Sequence, residues 1–476
     1  MKTFIKKTRQ KLGEMLSGGF LWIFCSSVLM QLSGFVSSVV VIRNLPKADY
    51  GLYVDAYNIY SYIEVFIGLG LANAVLQFCS ENASSARKNA IFRYSAINGT
   101  VFNLGFLVLL LGLGIVYKPD TTGRFIAMMC AYPMVVYGFT YAKNVLRVKR
   151  ENREYAVVCM VYSVVVFIGN VLFTAVWGVK GLVAAAYFAY LATVIAALIY
   201  FRRDGFFRDL RDNSVVLTTA DRRELLNYSV LSASTNFVSM ALLLLDITCL
   251  SFVLGDSEVL ADYKVALAIP SAMLFISDSL TVYFYPGLVE TFTRDKTEFA
   301  QRVRGCLKLY AAMSAVLALL LYLFAPVIIR VIYGEKYIGV IPIFRILSVN
   351  FFVNSAARNL LGNGIAAIKK VKMNLIFAGA AGVLNIVLDL LLIRLMGSQG
   401  AAVATLIVTA FITALEAIYV YPYIKRVRRA GERGVKRRCA NESCDGADNR
   451  HGCARGTGNH KVSAQKRRAR DTYNRR

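Results

Sequence analysis

Charge is scarce in this 476-residue sequence, where Asp, Glu, Lys and Arg make up only 18% of residues, against about 25% in a soluble chain. Acidic residues are the rarer sign, 29 against 55 Lys and Arg, which leaves a net charge of +26. Eight prolines and low polarity exclude a largely disordered chain. The nine cysteines are scattered, with no paired spacing that implies disulfides. Cys439, Cys444, His451 and Cys453 near the C-terminus match no zinc-binding spacing, so neither a metal nor a cofactor is expected. What is abundant is apolar surface: 57% of residues are hydrophobic and the mean hydropathy is +0.52. That combination points to an all-α polytopic membrane protein.

Twelve stretches are long enough to cross a hydrocarbon layer of roughly 30 Å: 15–42, 56–80, 94–117, 125–142, 155–179, 181–201, 225–255, 265–289, 309–329, 337–368, 373–393 and 395–424. The fourth is short, and a longer helix through Lys143 is an alternative. Cationic residues test the count, because cytoplasmic loops are enriched in them. With a cytoplasmic N-terminus, the inner segments hold 44 Lys and Arg and the outer loops 9. Both termini then lie on the inner side. The +26, which alone would also suit nucleic acid, becomes mostly a topology signal, and no nucleic-acid partner is expected. Residues 1–14 form a basic cytoplasmic start and 425–476 a basic, disordered cytoplasmic tail suited to anionic membrane lipids. The loops are too short to fold a catalytic domain, so no catalytic residue is assigned and an enzyme is not expected.

Landmarks in the first six spans return in the second six. Ala48-Asp49-Tyr50 recurs as Ala261-Asp262-Tyr263 after 213 residues, Ala142-Lys143-Asn144-Val145-Leu146 as Ala357-Arg358-Asn359-Leu360-Leu361 after 215, and Gly178-Val179-Lys180-Gly181 as Gly397-Ser398-Gln399-Gly400 after 219. Six is even, so the halves 15–212 and 213–424 are expected to be parallel six-helix bundles with a substrate path between them.

Charges in hydrocarbon cost roughly 2.5–3.5 kcal/mol each and normally face a cavity or a partner. Tyr50, Tyr53, Tyr57, Tyr60 and Glu64 share a helix face, as do Ser27, Gln31, Gly34 and Ser38 in the first span. Span seven repeats the pattern with Ser232, Asn236, Ser239 and Asp246. In span ten Asn350, Asn354 and Arg358 fall on one side, and Lys143 is the repeat counterpart of Arg358. These two cations suit a phosphate group, Arg through a bidentate fork and Lys as a point charge. Asp278 is a further deep carboxylate, whereas Asp389, Arg345 and Glu416 lie close enough to span ends to be interfacial.

The segment Arg43-Asn44-Leu45-Pro46-Lys47-Ala48-Asp49-Tyr50-Gly51-Leu52-Tyr53, with Gly68-Leu69-Gly70-Leu71-Ala72-Asn73-Ala74 after it, resembles the polysaccharide transporter family, the Wzx-like oligosaccharide flippases of the superfamily that includes multidrug exporters of the MATE type. The Asp246 region, Tyr333-Gly334-Glu335-Lys336-Tyr337, Asn385 and the stretch 397–405 are similar to it too. The resemblance implies two six-helix bundles flanking a central cavity that opens alternately to each side. It implies an undecaprenyl-diphosphate-linked glycan as substrate, moved across a bacterial plasma membrane for cell-surface polysaccharide biosynthesis, with polysaccharide assembly proteins as partners. The expected substrate residues are Arg358, Lys143, Glu64, Asp246, Asp278, Tyr57, Tyr60, Gln31, Asn236 and Asn354. An ion-coupled multidrug or metabolite antiporter, with Glu64, Asp246 or Asp278 as the ion site, and a non-transporting membrane scaffold are the alternatives.

Overall fold

A computed structural model describes residues 20–80, 84–118, 120–211, 215–294, 296–367 and 371–445. The start of the chain and the last 31 residues, including His451 and Cys453, lie outside the described residues. No strand occurs among the described residues. Among the described residues, eleven helices are long and apolar enough to cross a membrane, and one bent pair makes a twelfth.

The first six spans are built from α1 (Phe20–Asn44), α2 (Lys47–Glu64) continued by α3 (Leu71–Ser80), α4 (Ser85–Val116), α5 (Thr122–Met128) with α6 (Tyr132–Val148), α7 (Asn152–Trp177) and α8 (Val179–Arg203). A short helix, α9 (Phe206–Asp209), leads to the last six. These are α10 (Thr219–Val253), α11 (Ser257–Arg294), α12 (Lys296–Leu323) followed by the short α13 (Ala325–Ile332), α14 (Ile341–Val353) with α15 (Asn359–Ala367), α16 (Val371–Met396) and α17 (Ser398–Asp445). The short fourth span is thus a longer helix bent by 47° between Met128 and Tyr132. Span two begins at Lys47, so the segment read as an outer loop around residues 43–55 is mostly helical. Helix α17 continues past 424 to Asp445, so the first part of the expected disordered tail is helix. The face of the molecule where α1 begins is termed the near face, and the face where α1 turns into α2 the far face.

The internal repeat is visible in packing. Asn144 in the fourth span donates to the Ala72 carbonyl in the second, at 2.7 Å, and its counterpart Asn359 in the tenth donates to Asp278 in the eighth, at 2.7 Å. The hairpins between spans five and six and between eleven and twelve turn on Gly178 and Gly397, at φ 58° and 60°, a region that favours glycine. Three residues on, a Cβ at Gly181 would fall 2.1 Å from the Phe173 carbonyl oxygen, and one at Gly400 would fall 2.1 Å from that of Leu392. Each glycine lets two helices approach backbone to backbone.

Spans two and ten depart from regular helix. After Glu64 the chain passes through a 3₁₀ turn, Ile67–Gly70, where Gly68 and Leu69 take φ 58° and 49°. The freed Gly68 N–H is satisfied by Asn103 Oδ1 at 2.8 Å, as a membrane interior requires. In span ten a π-helical turn, Asn354–Arg358, joins α14 to α15.

If the repeat is a packing repeat, Gly181→Ala and Gly400→Ala lose stability alike, each by about 1–3 kcal/mol from overpacking. Gly34→Ala, which meets no atom within 4 Å, loses almost nothing. Melting temperatures of the purified variants in detergent check this, and unequal losses at the two equivalent glycines would contradict it.

Candidate functional site

Glu64 sits at the last residue of α2, where the helix breaks, and Asn236 lies opposite it on α10. Together with Ser61, Val65, Ser239, Met240 and Leu243 they line an open cavity of about 360 Å³. Asp246 continues the same sequence stripe but leaves this cavity. Ten residues at about 100° each turn it roughly 80° away from Asn236, into the second bundle. Gln31, Leu32 and Gly34 on α1 are exposed, which places the first-span stripe on an accessible face.

Along α11, Lys264, Ala268, Ser271, Phe275 and Asp278 recur at helical intervals and share one face. Ser271, Phe275 and Asp278 are exposed and Lys264 is half-buried. Polar groups exposed within a span face water rather than lipid. Lys264 makes no hydrogen bond or ion pair with any described residue. The apolar run lengths predict an outer loop at its position. The structure instead places it in the second turn of a 38-residue helix.

The tyrosine stripe turns the other way. Tyr57 and Tyr60, with Tyr53, Tyr132, Tyr162, Tyr190 and Asn170, line a pocket of about 130 Å³ inside the first bundle. Tyr60 is 1% exposed, its ring is edge-on to Tyr132 at 5.3 Å, and its hydroxyl has no partner among the described residues. Periodicity groups the phenols with Glu64, but Glu64 opens to the α10 cavity whereas the wall opposite the phenols is α6 to α8. Lys143 lies at the same aromatic cluster, its ammonium 4.3 Å from the Phe139 ring, and Phe139 stacks on Tyr162 at 5.0 Å.

Arg358 is half-buried on the π turn with Asn354. Its neighbouring charge is Glu416 on α17, which is 5% exposed rather than interfacial. Arg358 therefore has a carboxylate beside it within its own bundle. It is not gathered with Glu64 and Asn236.

The second bundle also holds a carboxylate pair. Asp246 accepts hydrogen bonds from Tyr263, from Thr405 at 2.6 Å and from Asn385 at 3.3 Å. Beside it, Asp389 is 0% exposed, and neither of its oxygens has a hydrogen-bond partner among the described residues. Its place near a span end predicts an interfacial carboxylate, and the structure buries it instead. The signal that could have found it is the pair Asn385 and Asp389, four residues apart on one face of an apolar helix. Two carboxylates buried together in a low-dielectric interior cannot both stay charged without a proton or a cation. No group of three or more His, Cys, Asp or Glu side chains arranged for a metal occurs among the described residues.

Comparison with known proteins places this geometry. The family model described as polysaccharide biosynthesis protein matches residues 16–292. An uncharacterized membrane protein, MJ1068, of Methanocaldococcus jannaschii is 23% identical over 415 residues, covering 81% of this chain and 80% of its own. Among solved structures, a multidrug resistance MATE family transporter in an inward-facing conformation superposes with TM-score 0.71 at 12% identity, over 84% of this chain and 96% of that one. The lipid II flippase MurJ in an inward closed conformation gives TM-score 0.67 at 14% identity, over 86% of this chain and 90% of that one. An outward-facing MATE structure gives TM-score 0.53 at 12% identity, over 86% of this chain and 95% of that one. These likenesses confirm the fold class. The matched model spans more than half of the sequence, and the chain belongs to the polysaccharide biosynthesis protein family, as a multi-pass membrane protein.

Proposed function

We propose that this protein is a flippase that moves an undecaprenyl-diphosphate-linked oligosaccharide across the bacterial plasma membrane, with the near face cytoplasmic. The observation that carries the reading is Lys264, a cation without a protein partner on the accessible face of α11. An ammonium left uncompensated within a span suits an anionic group brought by the substrate. The diphosphate is held there, in place of the Arg358 and Lys143 expected from sequence. Glu64, Asn236, Ser239 and Gln31 hydrogen-bond sugar hydroxyls. The polyprenyl chain stays in lipid, leaving between the exposed near-face parts of α1 and α11.

In vesicles carrying the full chain and a fluorescent undecaprenyl-diphosphate glycan, Lys264→Ala slows transbilayer movement by about 10- to 100-fold, the loss of one charged hydrogen-bond partner at about 1.5–3 kcal/mol. Lys264→Arg stays within a few-fold of wild type. Wild-type movement in Lys264→Ala would sink the diphosphate assignment.

A second reading, ion-coupled antiport, draws on the Asp246 and Asp389 pair. If that pair takes up a monovalent cation or a proton, the melting temperature of the protein rises on adding sodium chloride in place of choline chloride, or on acidification, since a ligand that binds only the folded state stabilises it. Asp389→Asn flattens that response. A wild-type melting temperature indifferent to both would remove the ion site, and transport of an organic cation without glycan movement would favour the antiporter.

A further inference from the structure

The two halves of the chain meet at the far face through contacts that form a distinct set. Lys47, at the start of α2, reaches Asp262 at 2.8 Å and Glu258 at 3.7 Å, both on α11. Lys336, after α13, donates to the carbonyls of Arg43 at 3.0 Å and Leu45 at 2.7 Å. Those carbonyls close the C-terminal end of α1, where unsatisfied acceptors and the helix dipole favour a cation. Between these two lysines, Gly51 packs so closely on the first turn of α11 that a Cβ there would lie 1.7 Å from the Ser257 carbonyl oxygen. Beneath them Tyr50, Val41, Ile42 and Leu45 share one buried cluster with Leu260, Ala261, Tyr333 and Tyr337. A turn or two deeper, Asn58 donates to Thr248 at 2.8 Å. Lys118 bridges Asp55 at 3.4 Å and Ser251 at 3.2 Å.

We infer that this is a lock holding the far face shut, with Gly51 as its indispensable residue and the Lys47 and Lys336 contacts as its bolts. Each bolt joins the first half to the second, so the far face cannot open without breaking both. Gly51 faces a backbone carbonyl, which cannot swing aside as a flexible side chain would. Any larger residue at position 51 must therefore hold α2 and α11 apart. The bolts are polar and partly exposed: the side chains of Lys47 and Asp262 are 23% and 21% accessible. Water can replace their partners once the glycine seam parts, which suits a closure that must be reversible. Toward the near face, among the described residues, the halves meet through Arg87 and Asp221 at 3.0 Å, Phe78 edge-on to Tyr228 at 5.4 Å, and Gly70, where a Cβ would lie 2.5 Å from the Ser229 carbonyl oxygen.

The inference concerns conformation and stands apart from what is transported, so its test uses no substrate. Amide hydrogen exchange, read by mass spectrometry on the full chain in lipid nanodiscs, follows the segments 43–53, 257–264 and 333–340. Gly51→Ala accelerates exchange there about 10-fold or more over wild type while α7 and α8 keep wild-type protection. Lys47→Glu does the same to a smaller degree, and Lys47→Glu with Asp262→Lys returns exchange toward wild type, because the reversed pair restores the link. Wild-type exchange in Gly51→Ala would overturn the lock. If Gly51→Ala does not fold, the charge-reversal pair decides: acceleration that the second substitution fails to reverse would overturn it equally.

Discussion

A polar group inside a hydrocarbon layer must find a partner in the protein or open onto water. Most choices in this structure follow from that requirement. The backbone freed at the break in span two is satisfied by Asn103. Asp246 collects three donors from three helices. Arg358 has a carboxylate neighbour in Glu416. Against this background, two charged residues stand out: Lys264 on the accessible face of α11, where we propose that the substrate binds, and Asp389 beside Asp246.

Glycine supplies the complementary constraint. Because lipid tails are as apolar as the side chains that meet them, helices in a membrane gain by approaching closely. Gly181 and Gly400 do this within each half, and Gly51 between the halves. The first two contacts are the same contact made twice, and fix two hairpins. The third has no such twin: Gly51, after Ala48-Asp49-Tyr50, is answered in the repeat by Lys264, after Ala261-Asp262-Tyr263. Duplication gave two similar helices, and divergence at one position made one of them the seam of the far face and the other the carrier of a free charge.

Much of this was legible in the sequence. Apolar run lengths and the asymmetry of Lys and Arg anticipated the twelve spans and the fold class, and offsets of 213 to 219 residues pointed to the repeat that the Gly181 and Gly400 contacts display. Helical spacing grouped Asn236 with Ser239, which line one cavity, and Tyr57 and Tyr60 with Glu64, which the structure divides between two. What spacing could not supply was the identity of the opposing wall, so Tyr57 and Tyr60 were assigned to the central path although their partners are the tyrosines of α6 to α8. Span ends were the other weak point. A loop reading of residues 256–264 hid Lys264, and a position near a predicted helix end hid the burial of Asp389 and Glu416. In each case the missing information was tertiary: which helix lies opposite, and how far a helix runs beyond its apolar stretch.

The claim on which the functional account rests is that the substrate's diphosphate binds between the two halves, at α11. A cryo-electron microscopy structure of the full chain in nanodiscs with an undecaprenyl-diphosphate glycan tests it most directly. The expected result is phosphate density within hydrogen-bonding distance of the Lys264 ammonium, with the sugars toward Glu64 and Asn236. Phosphate density on Arg358 or Lys143, with Lys264 facing empty space, would contradict it.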